Sequence, residues 1–285
     1  MSKADQIFIA NIKDILENGF SDEGLEVRPH WADGTPAHTI KKFGIGLSIQ
    51  KVSLTEYLKN KKYTEDKLIE VGLTNDNGND IFINRIMFPI YDLSGNTVAF
   101  SGRIYNTKDT SKYINSKESV IFKKGYTFYN YDKCRLEALK IKSVILVEGQ
   151  MDAIRVYTSG FKNVIASMGT AITSNHISLL KKLNAKVILM MDNDNAGEKS
   201  TILNGEELIK NNIEVSVVRL TGEKDPDSFI LKNGADAFRD ALKGEISFFD
   251  FKLRYLKKDK NLNKADELAE YINKIIDELN KSDDD

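Results

Sequence analysis

The stretch Val144-Ile145-Leu146-Val147-Glu148-Gly149-Gln150-Met151-Asp152 decides the fold: a short apolar run ends in a carboxylate and a glycine, and a helical pattern begins at once. Three more such runs follow, Val164 to Ala166, Lys186 to Met191 and Ile213 to Leu220. Helical patterns separate them at Asp152 to Ser159, Asn175 to Leu183 and Ala196 to Lys210, with Gly160 past the first helix and Thr173 or Ser174 as cap of the second. Runs this short and this apolar fit parallel strands buried on both faces. Residues 142–232 therefore read as an open α/β sheet, in which ligands sit beyond the carboxyl ends of the strands.

Upstream, residues 81–104 form two strand-like runs joined by Asp92-Leu93-Ser94-Gly95, a hairpin turn signal. Downstream, Ala235 to Leu242 and Asn263 to Leu279 are amphipathic helical patterns, and the tail Ser282 to Asp285 should fray. The expected fold class is α/β: an open parallel sheet flanked by helices, preceded by a smaller α+β subdomain at 45–141 and followed by a helical segment at 233–285.

Composition narrows the function. With 41% hydrophobic and 29% charged residues, the 285-residue chain can bury a substantial core, and a net charge of -1 excludes a wholly basic coat protein. Charge separates by region: Phe43 to Ile145 carries 16 Lys and Arg against 11 Asp and Glu, whereas Leu146 to Ile230 carries 9 against 11. Cys134 stands alone and His30, His38 and His176 are scattered, so neither a disulfide framework nor a zinc centre is expected. No apolar run approaches the roughly 20 residues of a membrane span, and Met1 to Phe8 lacks a signal-peptide pattern, so the expected compartment is the cytoplasm, with no membrane partner.

The chemistry gathers at the strand ends. Glu148 closes the first strand and Asp152 follows it. Asp192 and Asp194 close the third strand, two residues apart and so directed to one side if the backbone stays extended. Asp225 and Asp227 follow the fourth. Each piece has an ordinary structural use as a cap or turn. Six carboxylates at one edge, however, repel one another and need cations or hydrogen bonds to stay ionised. All-oxygen ligands suit Mg²⁺ or Mn²⁺, and phosphoryl transfer is the chemistry such a site serves best. Gly197-Glu198-Lys199-Ser200-Thr201 lacks the spacing of a phosphate-binding loop, so no nucleotide-driven motor is indicated.

Glu148-Gly149, Asp152 and Asp192-Asn193-Asp194-Asn195-Ala196-Gly197, in this frame, resemble the Toprim domain of bacterial primases, topoisomerases and some nucleases. The flanks resemble the RNA polymerase domain of DnaG-type primases: Ala166 to Thr170, Arg85 to Ile90, Phe100 to Arg103, Lys112 to Ser116 and Phe122 to Gly125, over roughly residues 43–245. The resemblance implies primer synthesis on single-stranded DNA from nucleoside triphosphates, with Glu148, Asp192 and Asp194 as catalytic ligands of two Mg²⁺ or Mn²⁺ ions. Asp152, Asp225 and Asp227 would complete the acidic cluster as further metal-site residues. Arg103, Lys112 and Lys124 would line a basic cleft, while Tyr113 and Asn115 would contact bases, packing being the other use of Tyr113. The competing readings are a Toprim nuclease and a degenerate single-strand-binding module.

The sequence departs from that pattern in several places. No zinc-ribbon cysteines precede the core, and too little chain follows it for a full helicase-binding domain. Only the catalytic piece is therefore expected, with a replicative helicase left open as a partner. Asn193 stands where the family's acidic motif has glycine. Residues 1–44, through Val27 to Trp31 and Asp33 to Phe43, resemble the amino-terminal segment of a thymidylate synthase and read as a fused arm. That enzyme needs a Pro-Cys nucleophile, whereas Cys134 lies in Asp132-Lys133-Cys134-Arg135, which excludes nucleotide methylation.

Overall fold

In the strand Ser143–Val147, Ile145 and Val147 enter one hydrophobic cluster while Val144 and Leu146 enter another on the opposite face. A strand apolar on both sides with period two is the signature of the centre of a covered sheet. The computed structural model describes residues 37–48, 53–105, 111–258 and 260–282. Residues 1–36 of the thymidylate-synthase-like arm and 283–285 of the tail lie outside them.

The chain begins with α1 (Ala37–Phe43) and β1 (Gly46–Ser48), then two short helices, α2 (Leu54–Asn60) and α3 (Glu65–Glu70). β2 (Arg85–Tyr91), β3 (Thr97–Ile104) and β4 (Tyr113–Asn115) complete an antiparallel sheet in the order β1-β2-β3-β4. The β2–β3 hairpin turns as the sequence indicates, with Asp92 Oδ1 accepting from the amides of Ser94 at 2.8 Å and Asn96 at 2.9 Å.

The second sheet runs β6-β5-β7-β8-β9. It comprises β5 (Ser143–Val147), β6 (Val164–Ala166), β7 (Lys186–Leu189), β8 (Val215–Val217) and β9 (Ile246–Ser247). The first four are parallel, as expected; the antiparallel edge strand β9 has too few residues to leave a periodic trace in the sequence. The helices are α4 (Tyr131–Ile141), α5 (Gln150–Thr158), α6 (Ser174–Leu183), α7 (Asn195–Lys210), α8 (Pro226–Lys243), α9 (Phe248–Lys257) and α10 (Ala265–Ser282). Thr173 caps α6 through the His176 amide.

Two clusters share the sheet between them. On one face α5 and α8 pack Ile154, Val156, Phe229 and Phe238 with Ile86, Phe88 and Ile90 of β2, so the two sheets have a common core. Phe43 of α1 joins this core, its ring meeting Tyr157 edge-on at 5.3 Å. The other face receives α4, α6, α7 and α9 through Cys134, Leu180, Leu208, Phe248 and Phe251. A Cβ at Gly205 of α7 would lie 2.0 Å from the Phe248 ring, so this glycine sets how closely α9 approaches.

Chain order then locates the site. β5 connects to β6 on one side and β6 crosses back to β7 on the other, so the strand order reverses between β5 and β7. At that switch the connecting loops diverge and open a crevice at the strands' carboxyl ends.

Candidate active site

Glu148 leaves β5 and Asp192 leaves the chain just past β7, on the two sides of the crevice; the amide of Asp192 donates to Glu148 Oε1 at 3.2 Å. Asp194 is the N-cap of α7, its Oδ1 accepting from the Gly197 amide at 2.9 Å. The turn closes tightly, since a Cβ at Gly197 would lie 2.1 Å from the Asp192 carbonyl oxygen. Asn193 explains why an amide suits the position between the aspartates. Its Nδ2 donates to the carbonyls of Leu220 and Glu223, and its amide donates to that of Lys224 at 2.7 Å, stitching the loop after β7 to the loop after β8.

Five of the six carboxylates occupy two tiers, and the sixth, Asp225, caps α8 beside them. In the outer one, Glu148, Asp192 and Asp194 border the crevice, and the Lys224 ammonium stands 3.7 Å from Asp192 Oδ2 and 3.6 Å from Asp194 Oδ2. Asp152 and Asp227 form the inner tier. Asp152 is buried, with Oδ2 accepting from the Gly149 amide at 3.2 Å and Oδ1 from the Asp227 amide at 3.1 Å. Asp227 accepts from Arg155 Nε at 2.7 Å. Asp225 caps α8 by accepting from the Ser228 amide at 2.8 Å, with Pro226 in the first turn.

Electrostatics follow burial and hydrogen bonding, not tier. Burial, then the facing Glu148 and Asp225, push Asp192 up to about 6. Burial raises Glu148 as well, and Asp152 rises well above the usual carboxylate range through burial and the charges of Asp225 and Asp192. Asp227 is raised by burial, with Arg155 pulling back. Asp194 goes the other way, because the Gly197 amide stabilises its charge.

Of the predicted basic residues, Arg103 lies in the neighbouring sheet, Lys112 just ahead of its edge strand and Lys124 apart from it. Arg103 of β3 lies over the Tyr113 ring at 5.8 Å from its cross-strand position. Burial lifts the Tyr113 hydroxyl to about 12, with Arg103 opposing and Asp152 and Asp227 adding to the rise, so Arg103 and Tyr113 adjoin the inner tier. Tyr113 also packs on Phe88 at 6.4 Å, so packing is a large part of its role. Lys112 is exposed ahead of β4; Asn115 in β4 buries its Oδ1 without a hydrogen-bond partner. Lys124 sits in a 3-10 turn beside the start of α6, and partial burial lowers its ammonium. Gln150 Nε2 donates to Ser101 Oγ at 2.9 Å and pins the two sheets together next to Glu148.

Three residues of the site escape a reading by motif. Lys224 is hidden by its acidic neighbours Glu223 and Asp225, and Asn193 reads as a departure from a pattern. Arg155 had a signal: it is the one cation within the apolar run Ala153-Ile154-Arg155-Val156-Tyr157, and a buried cation requires a partner.

Among the described residues no three His, Cys, Asp or Glu side chains are grouped as a ready metal cage. The outer tier nonetheless fits a hard divalent ion. Its donors are all oxygen, and Asp192 and Asp194 already face a single cationic point, the lysine ammonium. Beside it opens a cavity of about 520 Å³ lined by Asn193, Arg219 and the loop from Leu220 to Lys224.

Comparison with known proteins bears on the family and the fold. Family models described as "DNA primase catalytic core, N-terminal domain", "Toprim-like" and "DnaB-helicase binding domain of primase" match residues 33–135, 145–230 and 249–285 in that order. The third match corrects the expectation that only the catalytic piece is present: α9 and α10 lie in a segment similar to a helicase-binding domain. The DNA primase of Enterococcus faecalis is 38% identical over 258 residues, covering 86% of this chain and 41% of that protein. The chain thus spans about two fifths of the length of the curated relatives it matches. The RNA polymerase domain of Mycobacterium tuberculosis primase superposes with a TM-score of 0.82 at 24% identity, covering 91% of this chain and 89% of that one. A DnaG primase catalytic domain bound to single-stranded DNA gives 0.77 at 26%, covering 93% and 89%. Over most of its length, therefore, the chain is a homologue of the DnaG-type DNA primases and carries their catalytic core.

Proposed function

We propose that this core makes short RNA primers on a single-stranded DNA template by metal-dependent nucleotidyl transfer. The reading is carried by Glu148, Asp192 and Asp194 bordering one crevice at the switch between β5 and β7, two of them already sharing a cation. These three would hold two divalent ions, Mg²⁺ or Mn²⁺, while Asp152, Asp225 and Asp227 fix the frame around them. When bound, such ions stabilise the attacking 3′-oxygen and the departing pyrophosphate. The chain's own residues do the rest. Asn193 holds the two acidic loops in register, the inner tier with Arg155 keeps α5 and α8 in place, and Arg103, Lys112 and Lys124 supply positive charge for phosphates of template and triphosphate. Asn115 and the edge of Tyr113 would meet template bases.

A relative's catalytic domain bound to single-stranded DNA supports the template as partner, and the match at 249–285 supports a replicative helicase as another. This reading implies work on DNA in the cytoplasm. The test is incorporation of labelled ribonucleotides on a single-stranded template. Parent protein should extend with Mg²⁺ or Mn²⁺, and Glu148→Gln or Asp192→Asn should lose activity by orders of magnitude. Full synthesis by either variant would falsify the assignment; cleavage of the template by the parent would favour the nuclease.

A further inference from the structure

Lys224 does not make a tight ion pair. Its ammonium stays 3.7 and 3.6 Å from the Asp192 and Asp194 oxygens, beyond good hydrogen-bond length, and its side chain is 60% exposed. The backbone that carries it is held firmly. The Lys224 carbonyl accepts from the Asn193 amide at 2.7 Å, and the next residue, Asp225, caps α8. Gly222, at φ +88°, turns the loop so that Lys224 stands between the carboxylates and the open cavity. On the cavity's other wall Arg219 is anchored, its Nη2 donating to Glu198 Oε1 at 3.1 Å. The cavity lining thus carries two cations, Lys224 and Arg219, against one carboxylate, Glu223, which Lys232 pairs, and a long flexible stem on a fixed base can swing from one side of the loop to the other.

We propose that Lys224 is a displaceable counter-ion: it holds Asp192 and Asp194 together before the divalent ions bind, gives way to them, and then pairs with the terminal diphosphate of the nucleotide, the group that leaves as pyrophosphate. A divalent cation bound by two or three carboxylates outcompetes one exposed ammonium on charge alone. Once displaced, the ammonium would still line the cavity that Arg219 also lines, where a diphosphate could meet it. The inference rests on the metal reading of Glu148, Asp192 and Asp194 and adds to it a residue that serves both the empty and the loaded site.

The two roles predict opposite changes in one variant. Lys224→Met keeps the stem and removes the charge. By calorimetry on the full chain without nucleotide, Lys224→Met should bind Mn²⁺ about two- to tenfold more tightly than parent, as expected when one or two exposed ion pairs stop competing. At saturating Mn²⁺ the same variant should bind inorganic pyrophosphate more weakly by a similar factor, while Lys224→Arg stays near parent in both. Unchanged or weaker Mn²⁺ binding by Lys224→Met, or unchanged pyrophosphate binding, overturns the proposal. Asp192→Asn separates the layers: if it binds Mn²⁺ like the parent, the metal site and this inference fall together. If it binds weakly while Lys224→Met equals the parent, only this inference falls.

Discussion

At the scale of the residue, the site is a set of charges that the fold tolerates at a cost. Asp192 has a folded value of about 6 against an unfolded value near 3.9, so the folded state holds the proton more tightly. Ionisation of this group therefore penalises folding: the penalty is absent below about pH 4, grows as pH rises, and is complete above about 6. In chelator, Asp192→Asn should melt at a higher temperature than parent at pH 8, with a gain of at most about 3 kcal/mol, and the difference should close near pH 4. An equal melting temperature at pH 8 would refute the charge-repulsion account. Arg155 is the converse case, since its loss leaves the half-buried Asp227 without its ion-pair partner beside the buried Asp152. Arg155→Met should cost about 3 kcal/mol in urea unfolding, and a cost under about 1 would show the pair to be dispensable.

At the scale of the element, the carboxyl-terminal helices attach to the same helix that carries the acidic motif. Lys252 of α9, buried, pairs with Glu206 of α7 and Glu278 of α10, and Lys258, just past α9, reaches Glu198 in the first turn of α7. The apolar side chains Leu268, Ile272, Ile276 and Leu279 of α10 remain substantially exposed, so this helix depends on few contacts for its position. Lys252→Met should therefore raise amide hydrogen exchange in α10 at least several-fold while leaving β5 and β7 protected, because opening is local where buried contacts are few. Equal protection of α10 in parent and variant would mean that apolar packing alone seats it.

At the scale of the molecule, a basic antiparallel sheet stands beside an acidic parallel one, and Gln150 to Ser101 bridges them at the crevice. Template affinity should come from the basic side and fall steeply with salt, because phosphate contacts release counterions. Arg103→Ala, Lys112→Ala and Lys124→Ala should each weaken binding of a single-stranded oligonucleotide and flatten the salt slope by about one unit. Parent-like slopes in all three would place the template elsewhere. The thymidylate-synthase-like arm is proposed to be separable: removing residues 1–36 keeps α1, which seats Phe43 in the core, and should leave primer synthesis and melting temperature near parent. A large loss of either would tie the arm to the core.

Local pattern was enough for the elements. Apolar runs between helical periods specified parallel strands buried on both faces, though two of the runs were longer than the strands they contain, and α5, α6 and α7 start and stop within two residues of the expected bounds because their caps and glycines are local. The carboxylates at strand ends were legible for the same reason. What the sequence left open lies between residues far apart in the chain. Strand order alone set Glu148 against Asp192, chain positions 44 apart, and helix packing alone put Arg155 on Asp227, 72 apart. The division of these equivalent-looking acids into a group around Lys224 and a group around Arg155 is likewise tertiary. A carboxylate's charge is written in the sequence, but its desolvation and its counter-ion depend on which loops the sheet brings together.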